Sequence, residues 1–95
     1  MNNNYIITEY SFNRAKELGL KIKLSQFSTK KLDVYDAQNN YINSIGNINY
    51  NDYGSYLKIF GQIYANKRQK LYHARHQKGI NIINSKQYLS ANILW

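Results

Sequence analysis

The amino-acid sequence predicts one α+β domain spanning residues 1–95. Apolar and polar side chains alternate along residues 20–24 and 32–36, the period of a half-buried strand. Residues 52–78 instead repeat their apolar side chains at three-, four- and seven-residue steps, the period of a helix. Ninety-five residues suffice for a single modest core, so a second domain is not expected.

The first third of the chain predicts a short helix followed by a small antiparallel sheet. Ser11 is a candidate N-cap for the segment FNRAKEL, which Gly19 would end. The segments KLDVYD and NYINSIGNI flank the turn residues AQNN, so a β-hairpin is expected at about residues 30–48. Gly46 is expected at a strand end or a bulge.

A long basic helix is predicted at about residues 53–78, with Asp52 or Ser55 as its N-cap and Gly79 at its C-terminal end. Gly61 costs about 1 kcal/mol relative to Ala inside a helix, so the helix should bend there or meet another backbone. Its apolar stripe comprises Leu57, Phe60, Tyr64, Leu71 and Ala74.

The end of the chain predicts a second, C-terminal helix. The segment GINII is interpreted as a connection or a short strand, after which Asn84 or Ser85 can cap the helix KQYLSANILW. Trp95, the only tryptophan, is expected in the core rather than at an interface, because Ile93 and Leu94 beside it also favour burial.

The charge is distributed very unevenly along this chain of net charge +8. All five acidic residues lie in residues 1–52, whereas residues 53–95 contain seven cations and no acid. Such a one-signed field raises the local concentration of polyanions.

Several classes of protein are excluded by what the sequence lacks. Without cysteine there is no disulfide framework and no thiolate zinc site. No apolar stretch approaches the roughly 18–20 residues needed to span a bilayer, and no signal peptide is recognisable, so neither a membrane role nor secretion is expected.

No catalytic residue, metal site or cofactor is predicted, and the protein is not expected to be an enzyme. His73 and His76 have an i, i+3 spacing that can ligate a metal, but a third histidine or a cysteine is missing. Asp33 and Asp36 lie three apart on a predicted strand, so their carboxylates should point to opposite faces and not share a Mg²⁺ ion.

The basic half of the long helix contains the candidate binding residues. A helical wheel places Arg68, Tyr72 and Arg75 on one edge of the apolar stripe, where they can contact phosphates and bases or simply cover the core. Tyr72 or Tyr64 would stack on bases if single strands are bound. The predicted nucleic-acid-binding residues are Lys67, Arg68, Lys70, Tyr72, Arg75, His76 and Lys78, with Lys30 and Lys31 ahead of the hairpin.

The order of several motifs carries a resemblance to a known family. The chain contains AKELG, KKLDVYD, an SIG turn, NDYGSY, YANKRQKLYHARHQK and YLSANILW. Over about residues 14–95 it resembles a family of small basic proteins encoded by large DNA viruses of eukaryotes and related viral elements, which has an R-x3-Y-x2-RH block and an LLW-like end. The matching residues here are Arg68, Tyr72, Arg75, His76, Leu94 and Trp95.

This resemblance implies a viral protein located in a virion or in the cytoplasm or nucleus of an infected cell. The family has no established activity, so no catalytic residue is carried over. Gly54 stands where a proline is expected in the family's DYP-like segment, which puts the start of the long helix in doubt.

Two functions are compatible with these observations. The first is non-enzymatic binding of nucleic acid, with DNA as the expected form, through phosphate contacts with little sequence specificity. The second is a minor structural, cement-type role in a virion through contacts with other virion proteins, since Tyr, Trp and Arg are enriched at interface hot spots. The exclusion of every acid from residues 53–95 favours the first.

Overall fold

The computed structural model describes residues 4–77 and 80–95 and confirms the α+β class. Within these residues no helix is long and apolar enough to cross a membrane. The elements in chain order are α1 (Glu9–Glu17), β1 (Lys21–Leu24), β2 (Leu32–Tyr35), β3 (Tyr41–Ile45), α2 (Tyr53–Phe60), α3 (Gln62–Arg75), α4 (Lys86–Leu89) and a π-helical segment (Ser90–Leu94).

The sheet is antiparallel in the order β1-β2-β3, and β2 and β3 form the predicted hairpin. Asp36 organises its turn by accepting hydrogen bonds from the backbone N–H groups of Gln38 and Asn40, both at 2.9 Å. Gly46 directly follows β3 with a φ of +82°, so of the two expectations the strand end is right. The irregularity in register lies instead between Val34 and Tyr35.

Residues 86–95, which comprise α4, the π-helical segment and Trp95, are called the C-terminal segment. This segment packs on one face of the sheet and completes the core. The fully buried side chains of this layer are Leu32, Val34, Ile45, Leu89, Ile93 and Leu94. Helix α1 joins the same core through Ala15. Ile93 and Leu94 are buried as expected, whereas Trp95, which was expected in the core, is partly buried and packs against it.

Helix α1 begins earlier than predicted. Its N-cap is Thr8, whose hydroxyl oxygen accepts from the Ser11 backbone N–H at 3.2 Å. The assignment of Ser11 as the cap was wrong, because this side chain is fully buried and donates to the Ile93 carbonyl at 2.9 Å. Ser11 thereby ties α1 to the C-terminal segment. Gly19 follows the end of the helix with a φ of +71°, as its position predicted.

The single long helix predicted at about 53–78 is wrong, because Gly61 divides it into α2 and α3. Its φ of +88° and ψ of 173° lie in a region that is essentially restricted to glycine. A Cβ on Gly61 would meet nothing within 4 Å, so the backbone conformation, and not a close neighbour, requires the glycine. Asp52 is confirmed as the N-cap of α2, accepting from the Ser55 N–H at 2.9 Å.

The apolar stripe predicted for that helix does not face the core. Phe60 is 57% exposed and Leu71 is 43% exposed, whereas the buried residue of α3 is Ala65. The helical period of the stripe was correct, but the divided helix turns most of it toward solvent.

The C-terminal helix is capped by Ser85, whose hydroxyl accepts from the Tyr88 N–H at 3.1 Å. It changes to π-helical after Leu89, and the Trp95 N–H bonds to the Ser90 carbonyl at 3.0 Å. Residues 80–85 form turns rather than a strand. The prediction that Gly79 ends the basic helix falls on residues 78–79, outside the described residues.

Candidate nucleic-acid interface

A cavity of about 640 Å³ lies between the loop after β3, the two helices α2 and α3, and the C-terminal segment. No Asp or Glu is among its lining residues in the described part of the chain. The cavity lining includes all six residues that carry the resemblance to the viral family, namely Arg68, Tyr72, Arg75, His76, Leu94 and Trp95. Its lining comprises Lys31, Gly46, Asn47, Tyr50, Asn51, Tyr56, Arg68, Tyr72, Arg75, His76, Ser90, Leu94 and Trp95.

Helix α3 and the residue that follows it supply the cationic wall. The steps of four and three residues from Arg68 to Tyr72 and Arg75 place these side chains on one helix face. The Arg68 guanidinium carbon lies 5.5 Å from the centroid of the Tyr56 ring. Its Nε atom is buried and has no hydrogen-bond partner among the residues described here. The guanidinium thus lies over a ring, and it forms no ion pair with an Asp or Glu of the described residues.

Three rings form a stack along the same wall. The Tyr72 ring lies 4.6 Å from Trp95 at an interplanar angle of 8°, and 4.3 Å from His76 at 26°. The backbone oxygen of Trp95 accepts from the Gln69 side-chain amide at 2.6 Å and lies 3.4 Å from His73 Nε2. These contacts hold the end of the C-terminal segment against α3.

Burial raises the pKa of the Tyr72 hydroxyl, although a hydrogen bond with Ser90 and the charge of Arg75 act in the opposite direction. A raised pKa makes the tyrosinate scarcer at neutral pH. At neutral pH the hydroxyl is therefore protonated and can donate or accept a hydrogen bond.

The cavity lining includes five of the predicted binding residues, Lys31, Arg68, Tyr72, Arg75 and His76. Lys67 and Lys70 are exposed on α3 but do not line it. Lys30 is half-buried just before β2. The predicted residue Lys78 lies outside the described residues.

Lys31 was predicted to contact phosphate, but its burial does not fit that role. Its side chain is 3% exposed, and its Nζ lies 2.9 Å from Asp52 Oδ2. Asp52 also accepts a hydrogen bond from the Tyr5 hydroxyl. The Lys31 ammonium is thus paired beneath the cavity wall, and Gly46 leaves room for its methylene stem.

The Asp52 carboxylate is stabilised in its charged form. Burial alone would raise its pKa, but the Lys31 ammonium and hydrogen bonds from Tyr5, Lys31 and Ser55 outweigh this effect and lower the pKa below its ordinary value. This cluster connects the N-terminal segment, the start of β2 and the start of α2.

Sequence reasoning missed the cavity residues that come from the loop after β3 and from α2. Asn47, Tyr50 and Asn51 come from the loop after the hairpin, and Tyr56 comes from α2. No local pattern marks them, because they reach the site only through the fold. Tyr64, which was expected to stack on bases, does not line the cavity and lies against Tyr56 at 5.5 Å.

The described residues contain no group of three or more His, Cys, Asp or Glu side chains that could hold a metal ion. The two histidines with the i, i+3 spacing contact other groups. His73 lies against the Trp95 backbone oxygen, and His76 stacks on Tyr72.

Comparison with known proteins finds no relative that assigns this cavity a role. No family model matches the chain, and neither the curated proteins nor the solved structures yield a match.

Proposed function

We propose that this protein binds nucleic acid without catalysing a reaction on it, largely through phosphate contacts and with little sequence specificity. The observation that supports this most strongly is the convergence of Arg68, Arg75 and His76 on a cavity whose lining in the described residues includes no Asp or Glu. Following the resemblance, we place this role in the virion or the infected cell of a large DNA virus, with DNA as the expected ligand.

The electrostatics favour a phosphate-bearing ligand over an uncharged one. Two guanidinium groups on one cavity wall repel each other, and an anion bound between them would offset that repulsion. Guanidinium groups match phosphate oxygens in a bidentate geometry, and such charge-assisted hydrogen bonds are stronger than neutral ones. Lys67 and Lys70, exposed on α3, extend the positive field beyond the cavity.

Fluorescence anisotropy across a salt series, with a random duplex and a single strand, tests this proposal. Wild-type affinity should fall steeply with salt. For the duplex, the double variant Arg68→Gln/Arg75→Gln should reduce the log–log slope by about 1.8, which is about 0.9 for each lost phosphate contact.

The matched control is Lys67→Gln/Lys70→Gln, which removes the same charge from the same helix outside the cavity. It should weaken binding less than the arginine variant, since its ammonium groups act through the general field alone. Absence of binding at low salt, or a larger effect of the lysine variant, would contradict the proposal.

A specific observation also favours the second function, a cement-type contact with other virion proteins. Ile59 is 62% exposed, Phe60 57% and Ile63 90%, on both sides of the break at Gly61. Exposed apolar clusters of this kind mark protein–protein contacts. Copurification with virus particles that is lost in Ile59→Ser/Ile63→Ser, but kept in Arg68→Gln/Arg75→Gln, would favour this function over the first.

A further inference from the structure

Tyr72 or Tyr64 was expected to offer a surface on which bases stack if single strands are bound, and in the structure the Tyr72 ring packs against two other rings. Its ring lies nearly parallel to both Trp95 and His76, at 4.6 Å and 4.3 Å. With two rings stacked on it at these distances, the Tyr72 ring is less accessible to a base. Tyr72 instead fixes the positions of the other two rings, and the exposed His76 ends the stack.

The size and composition of the cavity suit more than a single phosphate. Its volume of about 640 Å³ lies within the range of sites that enclose small organic ligands. Arg68 and Arg75 provide cationic donors, and the half-buried Trp95 provides apolar surface. One ligand that has a phosphate and a flat apolar ring can contact both the cationic and the apolar parts of the lining.

The loop after β3 adds hydrogen-bonding groups to the cavity, and these groups are open to solvent. Asn51 is exposed and Tyr50 is 71% exposed. The Asn47 side-chain oxygen is used within the loop, where it accepts from the Asn49 N–H at 2.9 Å. Amide and hydroxyl groups in such positions can bond to the edges of an unpaired base or to its sugar.

We propose that this cavity holds one unpaired nucleotide of a single strand, with its phosphate at Arg68 and Arg75 and its base beside Trp95. The inference rests on the proposed nucleic-acid binding and specifies the form that is bound. A base within a duplex is stacked and paired, so it must be flipped out before it can enter. Single strands present their bases without that cost, and they are therefore preferred.

Trp95 provides a direct signal, because it is the only tryptophan of the chain and lines the cavity. Its fluorescence should be quenched by a mixed-sequence single-stranded DNA. An abasic strand of the same length keeps the phosphates and lacks the bases. It should bind about tenfold more weakly, a factor equal to about 1.4 kcal/mol, within the range for stacking one base, and leave the fluorescence unchanged.

A blocking variant tests the cavity without changing any charge. Asn51→Phe places a ring at the cavity wall, whereas Asn49→Phe makes the same change at an exposed position in the same loop that does not line the cavity. Asn51→Phe should reduce affinity for the single strand to that for the abasic strand and weaken duplex binding less than single-strand binding. Asn49→Phe should behave as the wild type.

The outcomes separate this inference from the function on which it rests. Equal affinity for single, abasic and duplex DNA with no change in Trp95 fluorescence would overturn the inference and leave general phosphate binding intact. Wild-type single-strand binding by Asn51→Phe would also overturn it. Absence of binding to all three DNA probes would overturn both proposals.

Discussion

Replacing Lys31 by Met removes one partner of the buried ion pair and keeps most of the side-chain volume. In the wild type, Lys31 Nζ lies 2.9 Å from Asp52 Oδ2, and the two side chains are 3% and 1% exposed. The variant leaves the Asp52 carboxylate buried without its cation, although the hydrogen bonds from Tyr5 and Ser55 remain. An uncompensated buried charge is strongly destabilising.

The expected loss is about 3–5 kcal/mol, the usual cost of removing one member of a buried pair. A chain of 95 residues is expected to have a free energy of unfolding of about 5–14 kcal/mol. Each kcal/mol shifts the melting temperature of a domain of this size by roughly 4–8 °C, so a decrease of at least about 12 °C is predicted.

Urea denaturation measures this loss, and a double variant shows where it comes from. Asp52→Asn in the Lys31→Met background neutralises the stranded charge, while Asn still caps α2 as well as Asp does. The double variant should recover to within about 2 kcal/mol of the wild type. A loss below about 1 kcal/mol in Lys31→Met, or no recovery in the double variant, would refute the reasoning.

The stability of Lys31→Met relative to the wild type should change with pH in a direction that the structure predicts. In the wild type the pKa of Asp52 is lowered, so its contribution to stability is present above the unfolded pKa of about 3.9 and is lost as the pH falls through the folded value. In Lys31→Met burial is no longer opposed by the ammonium, and the pKa of Asp52 should rise. The folded variant then binds more protons than the unfolded chain. The difference in free energy of unfolding between the wild type and Lys31→Met should therefore become smaller as the pH is lowered from 7.

Three further substitutions test the fold. Asp33→Ala should cost at least about 2 kcal/mol in urea denaturation, because the Ser25 and Ser44 hydroxyls, both 2.6 Å from Asp33 Oδ1, lose their buried acceptor; wild-type stability would contradict this network. Gly61→Ala should destabilise by about 1–3 kcal/mol because of its backbone conformation. If the helix were continuous at Gly61, the same substitution would stabilise it by about 1 kcal/mol. The sign of the change in stability therefore distinguishes a helix broken at Gly61 from a continuous one. Gly54→Ala should lower the melting temperature, because its Cβ would collide with the Thr8 side chain; an unchanged value would show that Thr8 can move.

Local patterns in the sequence predicted the elements that depend on neighbouring residues. The period-two segments became β1 and β2, and the AQNN turn joined β2 to β3. Asp52 and Ser85 cap the helices that follow them, because an N-cap bonds to an N–H only three residues away. These features depend on short sequence separations, which is why a single sequence contains their signals.

Partners distant in sequence explain what local patterns could not predict. Asp33 alternates with apolar residues as a solvent-facing strand residue would, yet it is 1% exposed because side chains from two other segments bond to it. Ser11 resembles a cap and instead donates to Ile93, 82 positions away. Lys31 resembles a surface cation and instead pairs with Asp52. Each of these polar residues is buried only because the fold supplies its partner.

The candidate site depends both on local sequence patterns and on contacts between residues that are distant in sequence. The spacing of Arg68, Tyr72 and Arg75 predicts that they share a helix face, whatever that face meets. Whether they form a cavity or merely cover the core depends on Trp95, which reaches Tyr72 at the end of a π-helical segment. A π-helical turn contains more residues than an α-helical one, and Trp95 follows directly after this segment. Because nothing in the local pattern of SANILW predicts that turn, the sequence left two interpretations of the arginines open, and the fold places both arginines on the wall of one cavity.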